Sequence, residues 1–549
     1  MLGFPNTRTE VPWSSRRIAP VMGSSSMVSA AHPLVSSAGI NALRNGGNAV
    51  DAAVSAALVA SVVLPDMCGL GGDLFAIVHD PRRKQATTYL GSGIAPRGLS
   101  YEQAKTSGPG GHLMQEQGEL SIGVPGMVRG YRDLLREHGT KSFAELVEPA
   151  VYYAEHGHPI SLGLDSHLRP VGDLLGRFPA SAAVFMPGGV MPMVGQNLVQ
   201  SDLARTFRRL AEVGLDDFYS GEIAARIAKG LLEVGGVMTV DDLAQHETEI
   251  SAPLSVEYRG YRINQTGLPS QGLIHLEAHR IFDQILGPEA FWTEEWIHTQ
   301  VEVLKLAFAD RLGHTQDPRT GDSPVAKLLS TDWAAKRAGE IRQQAATNVP
   351  AGQFQDGDTT YLCTTDESGM MVSLIQSVSN AFGSGVVAGD TGVVMNNRVG
   401  RGFTLDPAHP NCYAPGKRTM HTLLCFSIEQ LDGTPIMVGG TPGGDGQAQW
   451  DLQMATAMID GGLDVQQAVE MPRWTLWPGT DPIAVGNPFD LRLEAEFGEQ
   501  LHTGLADRGH LVKLVSGWHG AAQIIARDPA TGIVAGGSDH RVEGQAIGF

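Results

Sequence analysis

Apolar residues recur along this chain in two rhythms, and the dominant rhythm changes near position 359. Between Pro33 and Asn45, Leu34, Ala38 and Leu43 take one helical face, and the pattern stops at Gly46-Gly47, a helix C-terminal signal. Asn48 to Leu64 reads as a second helix, built from small residues that allow close packing in a core. Asp73 to His79 and Gln85 to Leu90 are short apolar runs separated by Asp80-Pro81 and predict strands. From about 125 to 350 the 3.6-residue period prevails, over Val124 to His138, Phe143 to His156, Leu203 to Val213, Gly221 to Val234 and Glu294 to Leu312. Beyond 359 strands prevail. Tyr361 to Thr365 is rich in β-formers, and Met370 to Val378 follows the turn Asp366-Glu367-Ser368-Gly369. Helices return at Gln447 to Asp460 and Val465 to Glu470. No internal repeat, low-complexity tract or long linker interrupts the chain, and periodicity alone gives α/β or α+β.

Composition narrows the class without naming a reaction. With 549 residues, 42% apolar content and 68 glycines, the chain can bury a large core and make many tight turns. A formal charge of −19 with no basic patch argues against a nucleic-acid partner. Cys68, Cys363, Cys412 and Cys425 have no CxxC or metal spacing and read as buried free thiols. Residues 1–26 contain no apolar signal core, and the longest apolar run, Ala52 to Pro65, is too short for a bilayer, so the expected setting is cytoplasmic with no membrane partner.

Several chemistries are set aside on their motifs. There is no GxSxG nucleophile elbow. Gly69 to Asp73 lacks the Lys-Ser/Thr of a phosphate loop and reads as a structural turn. No HExxH occurs, His156-Gly-His158 has no carboxylate at ligand spacing, and His275 with His279 is a lone i, i+4 pair. No metal and no cofactor is expected.

One junction suggests covalent chemistry. In Gln355-Asp356-Gly357-Asp358-Thr359-Thr360 a polar, glycine-bearing loop runs straight into a strand. A threonine there can attack the preceding carbonyl, and hydrolysis of the resulting ester would leave it as a new N-terminus. That terminus carries a hydroxyl nucleophile and an α-amine of pKa about 7.7–8.0 that can take its proton. By themselves these residues are weak evidence, because Asp-Thr is common at an ordinary strand start.

The surrounding motifs change that weighting. Downstream stand Ser377-Val-Ser-Asn-Ala-Phe-Gly383-Ser-Gly385, Gly392-Val-Val-Met-Asn396-Asn397, Ala414-Pro-Gly416-Lys-Arg418 and Gly440-Thr-Pro-Gly443-Gly444-Asp445-Gly446. Upstream stand Ser29-Ala-Ala-His32-Pro, Gly46-Gly47-Asn48-Ala-Val-Asp51, Gly69-Leu-Gly-Gly72-Asp73, Tyr258-Arg-Gly260-Tyr and Ala307-Phe-Ala-Asp310-Arg311, and Gly537-Ser-Asp539 lies near the end. In this order the set resembles the γ-glutamyltranspeptidase family of N-terminal nucleophile hydrolases over residues 25–549. The resemblance implies an α+β fold, a four-layer αββα sandwich. It implies self-cleavage between Asp358 and Thr359 into 1–358 and 359–549, two pieces interwoven in one domain as a heterodimer, with a further dimer of these left open. It makes Thr359 the nucleophile, its freed amine the base, Gly443 and Gly444 the oxyanion donors, and Ser377 the neighbouring hydroxyl where the family carries a threonine.

The substrate side departs from the family pattern. Where transpeptidases place an arginine for the glutamyl α-carboxylate, this chain has Ser92; where they place an aspartate for the α-amine, it has Arg401, close to Arg398. A Ser-Ser pair is replaced by His421-Thr422. Positive charge here suits a small acyl group with a carboxylate and no amine. The local pattern resembles oxamate amidohydrolases and glutaryl-cephalosporin acylases. The alternatives are a genuine γ-glutamyltransferase or glutathione hydrolase and, in a different class, a non-catalytic binding protein. The retention of Thr359, Ser377 and Gly443-Gly444 favours an enzyme acting on a small-molecule amide.

Overall fold

Asp358–Thr365 and Met371–Ser379 form an antiparallel hairpin with Thr360 opposite Gln376 and Thr365 opposite Met371. In the computed structural model, which describes residues 1–4, 9–14, 16, 19–83, 85–111, 113–346, 358–477, 489–516 and 520–549, this hairpin is the middle of a seven-stranded sheet. The strand order is Gln545–Gly548, Met27–Ala30, Asp358–Thr365, Met371–Ser379, Asp73–His79, Thr87–Gly91, Glu249–Ser251. A second seven-stranded sheet runs Val21–Gly23, Val534–Ser538, Gln523–Arg527, Pro435–Gly440, Phe426–Gln430, Tyr261–Gln265, Leu254–Tyr258.

The central strands are buried on both faces, so their sequences read as nearly continuous apolar runs. Side-chain alternation still assigns each face. Leu74, Ala76, Val78, Leu362, Val372 and Leu374 point outward into a helical layer that includes Val54 and Leu58. Phe75, Ile77, Tyr361, Cys363 and Ile375 point inward and meet Cys425, Val438 and Ile525 of the second sheet. On the far side, Ile263, Phe426, Met437 and Ile524 pack under helices Gly272–Phe282, Glu294–His314 and Gly446–Ile459. The result is helix, sheet, sheet, helix.

Local signals explain the helices nearest the site. Pro33–Arg44 ends before Gly46, whose φ of 80° is the left-handed conformation that glycine adopts without steric cost. Ala49–Val63 starts at Asn48, whose side chain caps Val50 and Asp51 while Asp51 reaches back to the Asn48 N–H. All fifteen of its residues are buried, which only a run of small side chains permits at this packing density. The Asp366 carboxylate also accepts from Ala49 N–H at 2.8 Å, tying this helix to the hairpin turn.

One expectation gains detail and one needs correction. Among its described residues the stretch 125–350 contains five strands, His158–Pro159, Asn197–Leu198, Glu249–Ser251, Leu254–Tyr258 and Tyr261–Gln265, within its mostly helical run. The last two form a tight hairpin through Arg259 and Gly260, at φ 49° and 81°, and Leu254–Tyr258 alternates in burial as an edge strand does. Cys412 is only partly buried, whereas Cys68, Cys363 and Cys425 are buried free thiols. No helix among the described residues is long and apolar enough to cross a membrane.

Candidate active site

Inward-facing positions at one end of the sandwich hold polar residues instead of apolar ones. Continuing the register past Thr360 and Gln376 carries Thr359 opposite Ser377, and Ser377 in turn pairs with Asp73. Thr359 is 2% exposed, and its hydroxyl donates to Ser377 Oγ at 3.1 Å. Ser379 N–H donates to the same oxygen at 2.8 Å. The register slips by one residue at Asp358 and Ser379, and Ser379 sits at φ 90°. Such bulges bend a strand and re-aim its side chains. One step beyond the Leu74 and Gly91 pair, the same sheet brings buried Ser92 alongside Asp73.

A strand of the second sheet runs into a glycine turn. Gly443 and Gly444 follow Pro435–Gly440 and precede Gly446–Ile459, with φ of 131° and 54°. A Cβ on Gly443 would lie 2.1 Å from the Trp450 ring, so side chain and backbone both exclude other residues there. Gly446 N–H donates to Gly443 O at 2.8 Å, and Gln271 Nε2 donates to Gly444 O at 2.7 Å. In a trans peptide the N–H points opposite to its C=O, so tethering these carbonyls also aims the Gly444 and Asp445 N–H groups.

Arg398 and Arg401 lie on the short helix Arg398–Gly402 and, with Arg311, Asn411, Thr422 and Asp445, line a small pocket of about 30 Å³. Arg401 Nη1 donates to Ser379 O at 3.4 Å, two residues from Ser377. Arg398 Nη1 reaches Thr422 Oγ1 at 3.3 Å, and its Nε reaches Asp73 Oδ2 at 3.4 Å. His421 lies behind the pocket: its Nε2–H donates to the same Asp73 oxygen at 2.9 Å while Nδ1 accepts from Leu423 N–H. Burial, helped by the Arg398 charge, lowers the His421 pKa from 6.5 to about 4 against the pull of Asp73, so the ring is neutral at physiological pH.

The structure thus gathers Thr359 and Ser377, gathers Arg398, Arg401 and Thr422 in one pocket linked to them through the Arg401–Ser379 contact, and puts Asp445, next to Gly443-Gly444, in the wall of that pocket. Asp358 is the first residue of the strand Asp358–Thr365, and its side chain lies outside the described residues. Sequence reasoning gave no role to Asp73, which it placed at the end of a turn, at the head of a strand and in a family motif, or to Arg311, which pairs with Asp445 at 3.0 Å and donates to His421 O. The available signal was an acid heading an otherwise apolar strand. His275 and His279 are buried side by side in Gly272–Phe282. Among the described residues, His298, Glu302 and His510 stand close enough to share an ion, but His298 Nδ1 meets His510 Nε2 at 2.8 Å and Glu302 pairs with Lys305 at 2.6 Å.

A family model for gamma-glutamyltranspeptidase matches residues 35–549. The chain belongs to that family. Among curated relatives of this gamma-glutamyltranspeptidase-family enzyme, the glutathione hydrolase-like YwrD proenzyme of Bacillus subtilis (strain 168) is 37% identical, covering 96% of this chain and 99% of the relative. The oxamate amidohydrolase proenzyme of Klebsiella pneumoniae subsp. pneumoniae is 33% identical, covering 95% and 98%. The crystal structure of cephalosporin acylase from Bacillus halodurans superposes with a TM-score of 0.90 at 35% identity, covering 98% of both chains. The family member described here therefore shares the N-terminal nucleophile hydrolase fold along its whole length.

The depressed His421 pKa sets a pH dependence. The unfolded imidazole takes a proton near 6.5 and the folded one only near 4, so protons favour the unfolded state between those values and folding stability falls as pH drops through that window. His79, His158 and His279 are lowered to about 4 as well, also by burial. Denaturant midpoints of the wild type are expected to fall steadily from pH 6.5 to 4, and His421→Gln, with no such proton to take, should show a shallower slope.

Proposed function

We propose that the chain is the precursor of an N-terminal threonine amidohydrolase that cleaves itself before Thr359 and then hydrolyses an amide of a small acyl group bearing a carboxylate and no amine. The observation that carries this reading is the Thr359 hydroxyl, buried and 3.1 Å from Ser377 Oγ, beside a pocket lined by Arg398 and Arg401.

In the first step Thr359 Oγ1 attacks the Asp358 carbonyl carbon, the peptide C–N bond breaks, and an ester joins the two residues. Water hydrolyses that ester and releases the fragments 1–358 and 359–549 with a free Thr359 amine. In turnover that amine takes the hydroxyl proton as Oγ1 attacks the substrate carbonyl. The Gly443-Gly444 turn offers backbone N–H groups to the developing oxyanion. The amide nitrogen leaves with the proton held on the amine, and water hydrolyses the acyl ester. Ser377 fixes the nucleophile's oxygen throughout, itself held by Ser379 N–H.

For the acyl group, a guanidinium fork pairs with a carboxylate and repels an ammonium. Arg401 therefore disfavours a γ-glutamyl α-amine, and the small pocket favours a short acyl chain. Relatives named for oxamate and for cephalosporin accord with amide hydrolysis. Glutathione hydrolysis is the second reading, favoured by the relative named glutathione hydrolase-like. A purely binding role leaves the buried Thr359–Ser377 pair and the constrained glycine turn without a purpose.

Three outcomes test the reading. Purified protein should resolve on a denaturing gel into two co-purifying fragments, the smaller beginning Thr-Thr-Tyr-Leu, and Thr359→Ala should stay uncut and inactive; a full-length wild type that turns over amides contradicts the mechanism. Gly444→Ala, at a left-handed φ that alanine tolerates at a cost of about 1–2 kcal/mol, should still fold yet lose on the order of 10²-fold in kcat. Finally, kcat/KM for oxamate or a glutaryl amide should exceed that for γ-glutamyl amides by at least about one decade, the scale of a buried charged contact. Ser92→Arg with Arg401→Asp should move the preference towards glutathione, and efficient glutathione cleavage by the wild type would favour the second reading.

A further inference from the structure

We propose that Asp73 is a positioning residue that fixes the Arg398 guanidinium in the acyl pocket and thereby sets how tightly an acyl carboxylate is held, an inference that rests on the amide-hydrolase reading above. Asp73 does not line the pocket. It heads the strand Asp73–His79 on the inward face, 1% exposed, beside Ser377 in the register. Its Oδ2 receives both Arg398 Nε and the His421 Nε2–H.

Arg398 is thereby held at three points along its length. Its backbone N–H donates to Asn396 Oδ1 at 3.0 Å, its Nε is turned to Asp73, and its Nη1 reaches Thr422 Oγ1 on the pocket wall. An arginine side chain has many rotamers, and a carboxylate behind the fork removes most of them before any ligand arrives. His421 steadies that carboxylate in turn. Its ring packs against Phe75 with centroids 4.6 Å apart, and the Leu423 N–H on Nδ1 leaves Nε2 as the only protonated ring nitrogen in the neutral form. The chain of support runs from sheet to carboxylate to guanidinium to substrate.

A role in folding alone would use the same contacts, because a buried arginine needs a counter-charge. The two roles differ in what they do to KM. We therefore compare self-cleaved wild type, Asp73→Asn, Arg398→Met and the double variant on oxamate and a glutaryl anilide. Asp73→Asn keeps one acceptor oxygen for His421 and loses the charge and the second acceptor. Its KM is expected to rise about 3- to 10-fold, the scale of one immobilised side chain, with kcat within about 2-fold of wild type. In the Arg398→Met background the same change should add less than about 2-fold, since its effect passes through Arg398.

An unchanged KM in Asp73→Asn, or full additivity in the double variant, overturns the inference. If Asp73→Asn yields no cut enzyme, Asp73→Glu makes the comparison: its carboxylate is displaced by one methylene, and its KM must rise likewise. Calorimetric binding of glutarate to the same proteins separates the two proposals. Glutarate bound by the wild type and weakened 3- to 10-fold in the Asp73 variant, without turnover of either amide, refutes the reaction and keeps the positioning role. Glutarate bound equally well by both proteins refutes the positioning role whatever the turnover, and no binding to the wild type refutes the acyl pocket and the positioning role with it.

Discussion

A one-residue slip between two strands holds the site together. Regular pairing of the central hairpin brings Thr359 opposite Ser377, and the slip at Asp358 and Ser379 then turns the strand end away. Ser379 pays for this with a positive φ, and in that conformation it sends its N–H to Ser377 and its carbonyl to Arg401. One backbone irregularity thus connects the hydroxyl pair to the arginine pocket. Because the hairpin is central in its sheet and covered on both faces, no edge is available along which the register could drift.

One end of the sandwich inverts the composition of the core behind it. Phe75, Tyr361 and Ile375 give way, two residues further along their strands, to Asp73, Thr359 and Ser377. Buried charge of this kind is tolerated only when every group has a partner, and Asp73 meets Arg398 and His421 while Asp445 meets Arg311. Those pairings join a strand of the first sheet to the helices Arg398–Gly402 and Glu294–His314 and to the segments holding His421 and Asp445, so the polar end of the sandwich also ties its layers together.

Much of this was legible in the sequence, where the forces are local. The helices around Gly46-Gly47 and Asn48 end and begin at caps a few residues long, and the hairpin around Asp366 is set by its own turn. Thr359 and Ser377, 18 residues apart on one hairpin, were readable together. Leu254–Tyr258 and Tyr261–Gln265 were not, because two five-residue strands lie inside a long helical stretch and their alternation is too brief to stand out. For Asp73 the sequence showed an acid at the head of an apolar strand, but not its partners. Its partners Arg398 and His421 lie 325 and 348 residues away, and only the folded sheets bring them within reach.

The strands before and after Thr359 are interleaved. Seven of the fourteen strands in the two large sheets precede it and seven begin at or after Asp358, and both sheets mix the two kinds. A chain severed at that point would remain one body, since neither piece could leave without dissolving both sheets. It would also lose its way back: two separate polypeptides would have to find each other and interleave before either had a core. The persistence of such an enzyme would then depend on a high barrier to escape rather than on a favourable equilibrium, and a single heating could retire it for good.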